Sequence, residues 1–163
     1  MGILAAKHKC STSGLKSQVE GDVRMMFYKA FTAVMVFLYR LFKGQGRIGK
    51  PFGSPTLLLT TTGRKSGKQH TTPLGYLKDG NSYILVASNA GADKHPAWYL
   101  NLKANPKATI EVGDKREQVR AEEVKPEDYD RVWQKFVAVY PSYSQYTQKT
   151  TRKIPLMLLS KVA

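Results

Sequence analysis

A chain of 163 residues with a formal net charge of +14 and a pI near 9.9 is one domain's worth of sequence, able to bury roughly 70% of its unfolded surface without staples. Its single cysteine, Cys10, excludes an internal disulfide framework and a cysteine-rich zinc site, and His8, His70 and His95 lack metal-ligand spacing, so no metal is expected. The surplus of Lys and Arg attracts anions (nucleic acid, anionic lipid or a polyanionic small molecule) without choosing among them.

Residues 1–22 mix small, polar and basic residues without periodicity and read as a mobile tail. The run "GILAA" is too short for the hydrophobic region of a signal peptide, and Ala6 stands where a myristoylation signal after Gly2 wants Ser or Thr. A chain with one cysteine is compatible with the cytoplasm. Residues 23–48 follow as an apolar, basic helix around "VRMMFYKAFTAVMVFLYRLFKG". Lys29 and Arg40 interrupt its apolar run, leaving too few uncharged residues to span a bilayer, which takes about 20. At about 100° per residue, Lys29, Arg40, Lys43 and Arg47 line one face if the helix runs that far. Such a helix lies on an anionic membrane surface at the inner face of the cell membrane, or packs on its own domain or on a second subunit in a homodimer.

Residues 55–163 read as one folded domain. "TLLLTTT" at 56–62 is a strand by composition. "QHTTPLGYLKDG" continues as a second, ending at the Asp79-Gly80 turn signal, and "SYILVASN" is a third, buried one. "ADKHPAWYLNLKANP" holds a short helix with Pro96 at its start and Pro106 as its stop. "ATIEVGDKREQVRAEEV" gives two strands around Gly113-Asp114, with the alternation of a sheet wet on one face. "KPEDYDRVWQKFVAVYPSY" is a longer helix with Glu127 and Asp128 in its first turn, and "IPLMLLSKVA" is a last strand. Successive hairpins with two peripheral helices give an α+β fold, a small closed or half-closed antiparallel barrel. No strand leads through G-x-G-x-x-G into a helix, which excludes a doubly wound dinucleotide fold.

Nucleophilic catalysis has no candidate. No G-x-S-x-G elbow is present, Cys10 sits in the tail, and Glu122 and Glu123 are adjacent on a strand and so face opposite ways. A body large enough for a ligand but without a reactive side chain points to a cofactor that carries the reaction. Three stretches fit that view. "TTTGRKSGKQHTTPL" (60–74) brings a planar Arg64 fork and the ammonium groups of Lys65 and Lys68 between glycines. It is not a nucleotide P-loop, because Gly67 follows Gly63 too soon and Gln69 stands where the metal-holding hydroxyl belongs. A solvated hairpin tip and an anion grip both remain open. "ASNAGADKHPAWYLN" (87–101) ends a strand in small residues, with Ala87 and Ser88 leaving room for a flat ring, before a helix start that can receive an anion; Trp98 and Asn101 share a helix face. "YPSYSQY" sets Tyr140, Tyr143 and Tyr146 at a spacing that can wall a pocket, or merely cap the barrel.

These motifs together resemble the deazaflavin-dependent nitroreductases of actinobacteria and related bacteria, from about Leu57 to the C-terminus. The resemblance implies a split β-barrel akin to FMN-binding flavin reductases, with an N-terminal helix and short peripheral helices. It implies coenzyme F420, an anionic deazaflavin with a polyglutamate tail, as cofactor. The expected activity is hydride transfer from the reduced deazaflavin to a hydrophobic, electron-poor acceptor such as a quinone, a nitroaromatic or an activated enone. By the resemblance, the cofactor is held by Arg64, Lys65, Ser66, His70, Pro73, Val86, Ala87, Ser88, Asn89, Ala97, Trp98, Tyr99, Leu100, Asn101 and Tyr143. Tyr140, Tyr143, Tyr146 and Ser88 are the catalytic and pocket-lining candidates. Gly75, Asn89 and His70 depart from the family pattern, where a tyrosine, a lysine and an arginine stand. The alternatives are an FMN-binding barrel of the same kind, and a non-enzymatic protein of nucleic-acid or membrane surfaces. Clustered tyrosines after a helix and scattered basic residues argue against nucleic acid.

Overall fold

The computed structural model of the protein describes residues 12–50 and 54–162. The expectations for Gly2, Ala6, His8 and Cys10 fall outside them. The chain divides between Val34 and Met35 into two compact units.

The first helix, α1, covers Thr12–Leu41. It begins ahead of Val23, since no proline interrupts residues 12–41 and extending a helix is far cheaper than starting one. It also stops short of residue 48. Lys43 and Gly44 both take left-handed backbone angles, with φ of 52° and 62°, and the Gly44 amide returns to the Tyr39 carbonyl at 2.8 Å, a left-handed helix stop. A Cβ on Gly44 would lie 2.6 Å from the Tyr39 ring, so glycine is required there. Lys43 and Arg47 therefore leave the helix and do not extend a basic stripe from Lys29 and Arg40. Arg40 forms a two-pronged ion pair with Glu111, at 2.6 and 3.0 Å. Tyr39, 2% exposed, donates to the Thr56 carbonyl at 2.9 Å and accepts the Gly113 N–H at 3.0 Å. The last turn of α1 is thus bolted to the sheet.

Seven antiparallel strands follow: β1 (Thr56–Thr62), β2 (Gln69–Gly75), β3 (Leu77–Asp79), β4 (Ser82–Val86), β5 (Lys107–Val112), β6 (Lys115–Glu123) and β7 (Leu156–Lys161). Their order across the sheet is β2-β1-β5-β6-β7-β4-β3. The second strand of the sequence reading breaks at Tyr76, whose amide turns to the Pro55 carbonyl at 3.2 Å. That break decides the shape. β2 and β3 are the two edges of the sheet, yet one residue connects them, so the sheet must curl until its edges nearly meet.

Alternation along the strands sends side chains to two cores. Leu57, Leu59, Tyr83, Leu85, Ile110 and Val119 fill the inside of the curl with Trp98, Tyr99 and Leu102 from α2 (Ala97–Ala104). Ile84, Val86 and Leu156 face outward, under Val132 and Phe136 of α3 (Pro126–Val139). Pro126 at the start of α3, and Glu127 and Asp128 in its first turn, suit a helix N-terminus. A short α4 (Ser144–Lys149), which the sequence reading did not separate, then leads to β7.

Candidate functional site

The β1–β2 hairpin tip is built to display cations. Gly63 packs against its own loop, so that a Cβ there would meet Ser66 Oγ at 2.7 Å and His70 Nε2 at 2.8 Å. Gly67 takes φ 67°, and its amide bonds the Gly63 carbonyl at 2.8 Å. Ser66 Oγ accepts the Lys68 amide at 3.3 Å and lies 3.4 Å from His70. Arg64, Lys65 and Lys68 are left exposed and without an ion pair among the described residues. Unpaired guanidinium and ammonium groups on a tight loop suit phosphate and carboxylate.

Asn101 ties this tip to α2. Its side chain is 4% exposed; its Nδ2 donates to Thr61 Oγ1 and its Oδ1 accepts the Arg64 amide, each at 3.1 Å. Both ends of the amide are thus engaged by protein, and Asn101 shapes the loop. Trp98 and Tyr99 are buried in the inner core, whereas Leu100 is half-buried and Ala97 exposed. Tyr99 donates to Glu123 at 3.0 Å, and burial first, then that carboxylate, push its hydroxyl up to about 12.

At the end of β4 Val86 is buried, as are Ala87 and Ser88 after it, and Asn89 and Ala90 are exposed. The chain makes a left-handed arch, with φ of 49° at Asn89, 54° at Ala90 and 82° at Gly91. Non-glycine residues in that region cost on the order of 1–3 kcal/mol each and persist only where the surroundings impose them. Asn89 Nδ2 donates to the Lys94 carbonyl at 2.8 Å, and Gly91 packs so closely on α4 that a Cβ would lie 2.8 Å from Lys149 Cβ.

The tyrosines divide into two roles. Tyr140, 7% exposed, spends its hydroxyl on the Tyr76 carbonyl at 2.8 Å, and burial raises it to about 12. It belongs to the packing under Phe136. Tyr143 and Tyr146 meet edge to face at 5.2 Å. Burial and then Tyr146 push the Tyr143 hydroxyl up, and that hydroxyl has no hydrogen-bond partner among the described residues. It sits 3.5 Å from where a Cβ on Gly75 would be, so glycine at 75 leaves the space beside Tyr143 open. Pro73 is half-buried on β2.

The three stretches form one connected rim. The hairpin tip touches α2 through Asn101, the residue 88–91 arch packs on α4 through Gly91, and Tyr143 returns to β2 at Gly75. A cleft of about 390 Å³ lined by Glu123, Lys125, Tyr129, Lys153, Pro155 and Leu156 contains none of these residues. Among the described residues, no group of His, Cys, Asp and Glu could hold a metal ion.

The profile of the F420H(2)-dependent quinone reductases matches residues 32–161. The chain belongs to this family. Membership makes it an oxidoreductase that depends on coenzyme F420, as the motifs led one to expect. An F420H(2)-dependent quinone reductase of Mycobacterium tuberculosis is 45% identical over 121 residues, 71% of this chain and 81% of that one. The structure of an F420-H2 dependent reductase, FDR-A, superposes with a TM-score of 0.60 at 41% identity, covering 65% of this chain and 94% of its own. A structure described as a domain-swapped dimer has a TM-score of 0.62 at 34% identity, with 86% and 98% covered. The half-barrel with its helices is the split-barrel fold of FDR-A. Arg152 is the most connected cation at the rim; a lone arginine in "KTTRKIP" carries no signal of its partners.

Proposed function

We propose that this quinone reductase holds the anionic end of the deazaflavin at Arg64, Lys65 and Lys68, with Ser66 and His70 shaping the tip. The arch Ser88–Asn89–Ala90 gives the ring a flat floor of small residues over Val86 and Ala87. The observation that carries this reading is the set of unpaired cations on a hairpin tip whose backbone is fixed by Gly63 and Asn101. The donor set fits a phosphate with a carboxylate tail. When bound, the deazaflavin supplies a hydride.

The acceptor lies beside Tyr143 and Tyr146, in the space that Gly75 leaves open, and is a quinone. Reducing a quinone to its quinol takes a proton besides the hydride. Tyr143 Oη is placed to give it, since its hydroxyl is unengaged and held protonated by burial; solvent then restores it. The Tyr143 ring packs against Phe136, Tyr140 and Tyr146, an apolar wall that helps keep water away while the acceptor is in place. Anaerobic mixing of the protein with reduced F420 and a soluble quinone, followed by the return of deazaflavin fluorescence, tests the reading. Turnover that drops in Tyr143→Phe and survives in Tyr140→Phe supports it, and turnover indifferent to Tyr143→Phe contradicts it.

The acceptor also suits a membrane. Met26, Phe27, Phe31, Val34, Phe37 and Leu41 of α1 are exposed at helical spacing. Among the described residues no helix is long and apolar enough to cross a bilayer; the exposed apolar residues of α1 suit the bilayer surface instead, where lipid-soluble quinones are reached. Co-sedimentation with anionic vesicles that Phe27→Ser with Phe31→Ser abolishes is the expected result; unchanged association contradicts it. A homodimer built on this helix is the second reading, since one similar structure is a domain-swapped dimer, and sedimentation velocity of the same variant reads it.

A further inference from the structure

Arg152 hydrogen-bonds the backbone on both sides of the residue 88–91 arch. Its Nη2 donates to the carbonyls of Ala87 at 3.1 Å and Ser88 at 2.8 Å, and its Nε to the carbonyl of Ala92 at 2.9 Å. Its Nη1 lies 3.4 Å from His95 Nδ1. A guanidinium only donates, so Nδ1 is the accepting side of that contact. His95 in turn packs against the Tyr99 ring, tilted at 36° with centroids 4.9 Å apart, linking the arch to α2. Beside it, Thr150 Oγ1 donates to Asp93 Oδ1 at 3.0 Å. The segment enclosed by these contacts is the left-handed arch, where Asn89 and Ala90 hold positive φ without being glycine. Such a conformation does not persist alone. Three hydrogen bonds from one planar fork, spread over both ends of the arch, add to the Asn89–Lys94 bond and the Gly91 packing that hold it.

We propose that Arg152 is a positioning residue of the cofactor site: its guanidinium clamps residues 87–92 into the arch against which the deazaflavin ring lies, and relays that placement through His95 to α2. The inference rests on the reading that the arch receives the ring. It follows that the clamp is needed for carrier binding and not for binding the acceptor beside Tyr143. Lysine keeps the charge at this position but presents a single ammonium, which cannot serve acceptors at both ends of the arch.

The test uses the full chain. Without cofactor, the amides of Gly91 and Ala92, which donate to Ser88 and Asn89 carbonyls at 3.0 Å each, exchange hydrogen about tenfold or more faster in Arg152→Lys, the loss of one charge-assisted bond. In turnover, Arg152→Lys raises KM for reduced F420 about tenfold and leaves KM for the quinone unchanged. In Arg152→Ala, added guanidinium ion restores carrier binding and urea does not. If Arg152→Ala does not fold, the Lys variant decides alone. Wild-type exchange at Gly91 and Ala92 with an unchanged carrier KM overturns the proposal, as does faster exchange throughout the barrel with both KM values raised alike. A wild-type protein that does not bind F420 overturns the site reading instead, and the exchange rates then judge the clamp by themselves.

Discussion

Replacing Asn101 by alanine removes a strut that serves the core and the hairpin tip together. Thr61, 1% exposed, loses the amide that donates to its hydroxyl at 3.1 Å, and the Arg64 N–H loses its acceptor at the same distance. A hydrogen bond is worth about 1 kcal/mol net, and a buried polar group left without a partner costs roughly 1–3 kcal/mol. The Arg64 N–H is at the surface and recovers water, so the penalty falls on Thr61 and on the small cavity beside it. Together these give a loss of about 2–4 kcal/mol, which lowers Tm by roughly 5–15 °C in a domain of this size. Thermal unfolding followed by circular dichroism measures it, and fluorescence titration with F420 measures the second effect, a carrier affinity reduced about tenfold by the released tip. Asn101→Leu combined with Thr61→Val separates the two. It removes both polar partners and so recovers most of the stability, while the Arg64 tether stays lost and binding stays weak. An Asn101→Ala protein that melts within about 2 °C of wild type and binds F420 as tightly would refute the reasoning.

Arg64→Ala and Lys65→Ala each weaken F420 binding about tenfold, flatten its salt dependence and leave Tm unchanged, because neither group has an ion pair among the described residues; an unaltered salt slope in the double variant speaks against tail anchoring. Gly91→Ala, at φ 82° and with Lys149 Cβ 2.8 Å from the new methyl, destabilises by about 1–2 kcal/mol and slows turnover, as read by denaturant unfolding beside a rate assay. Tyr99 and Tyr140 are held up near 12 by burial, against an ordinary value near 10 in the unfolded chain. A raised folded value means stability is whole below pH 10 and falls between about 10 and 12, where the unfolded chain releases protons first. Urea midpoints measured across pH 9 to 11 should show this loss, and Tyr99→Phe should reduce it.

Much of the barrel was legible because its elements are local. β1 was read to the residue, since "TLLLTTT" is bounded by Pro55 and Gly63, and the Asp79-Gly80 and Gly113-Asp114 turns marked their hairpins. The break at Tyr76 was not legible: nothing in "TPLGYLK" says that its flanking residues pair with opposite ends of a sheet, because that is a long-range fact. The early stop of α1 was hidden for the same reason, since the Gly44–Tyr39 contact belongs to a folded cap. At the site, residue types announced the cations, the small residues and the tyrosines. They did not divide Tyr140, whose hydroxyl is spent on Tyr76, from Tyr143, whose hydroxyl has no hydrogen-bond partner among the described residues, nor the buried, doubly bonded Asn101 from the exposed Arg64 side chain. Such roles depend on which partner arrives from elsewhere in the chain, and Arg152 is the clearest case.

The central claim is that a cationic hairpin tip and a clamped arch hold an anionic deazaflavin. An equilibrium titration of the intact protein with F420 and, separately, with FMN, at low and at high salt and read by fluorescence polarisation, tests it most directly. The account predicts tight F420 binding that loosens steeply with salt, and little or no FMN binding. Equal affinity for both, or F420 binding indifferent to salt, would contradict it.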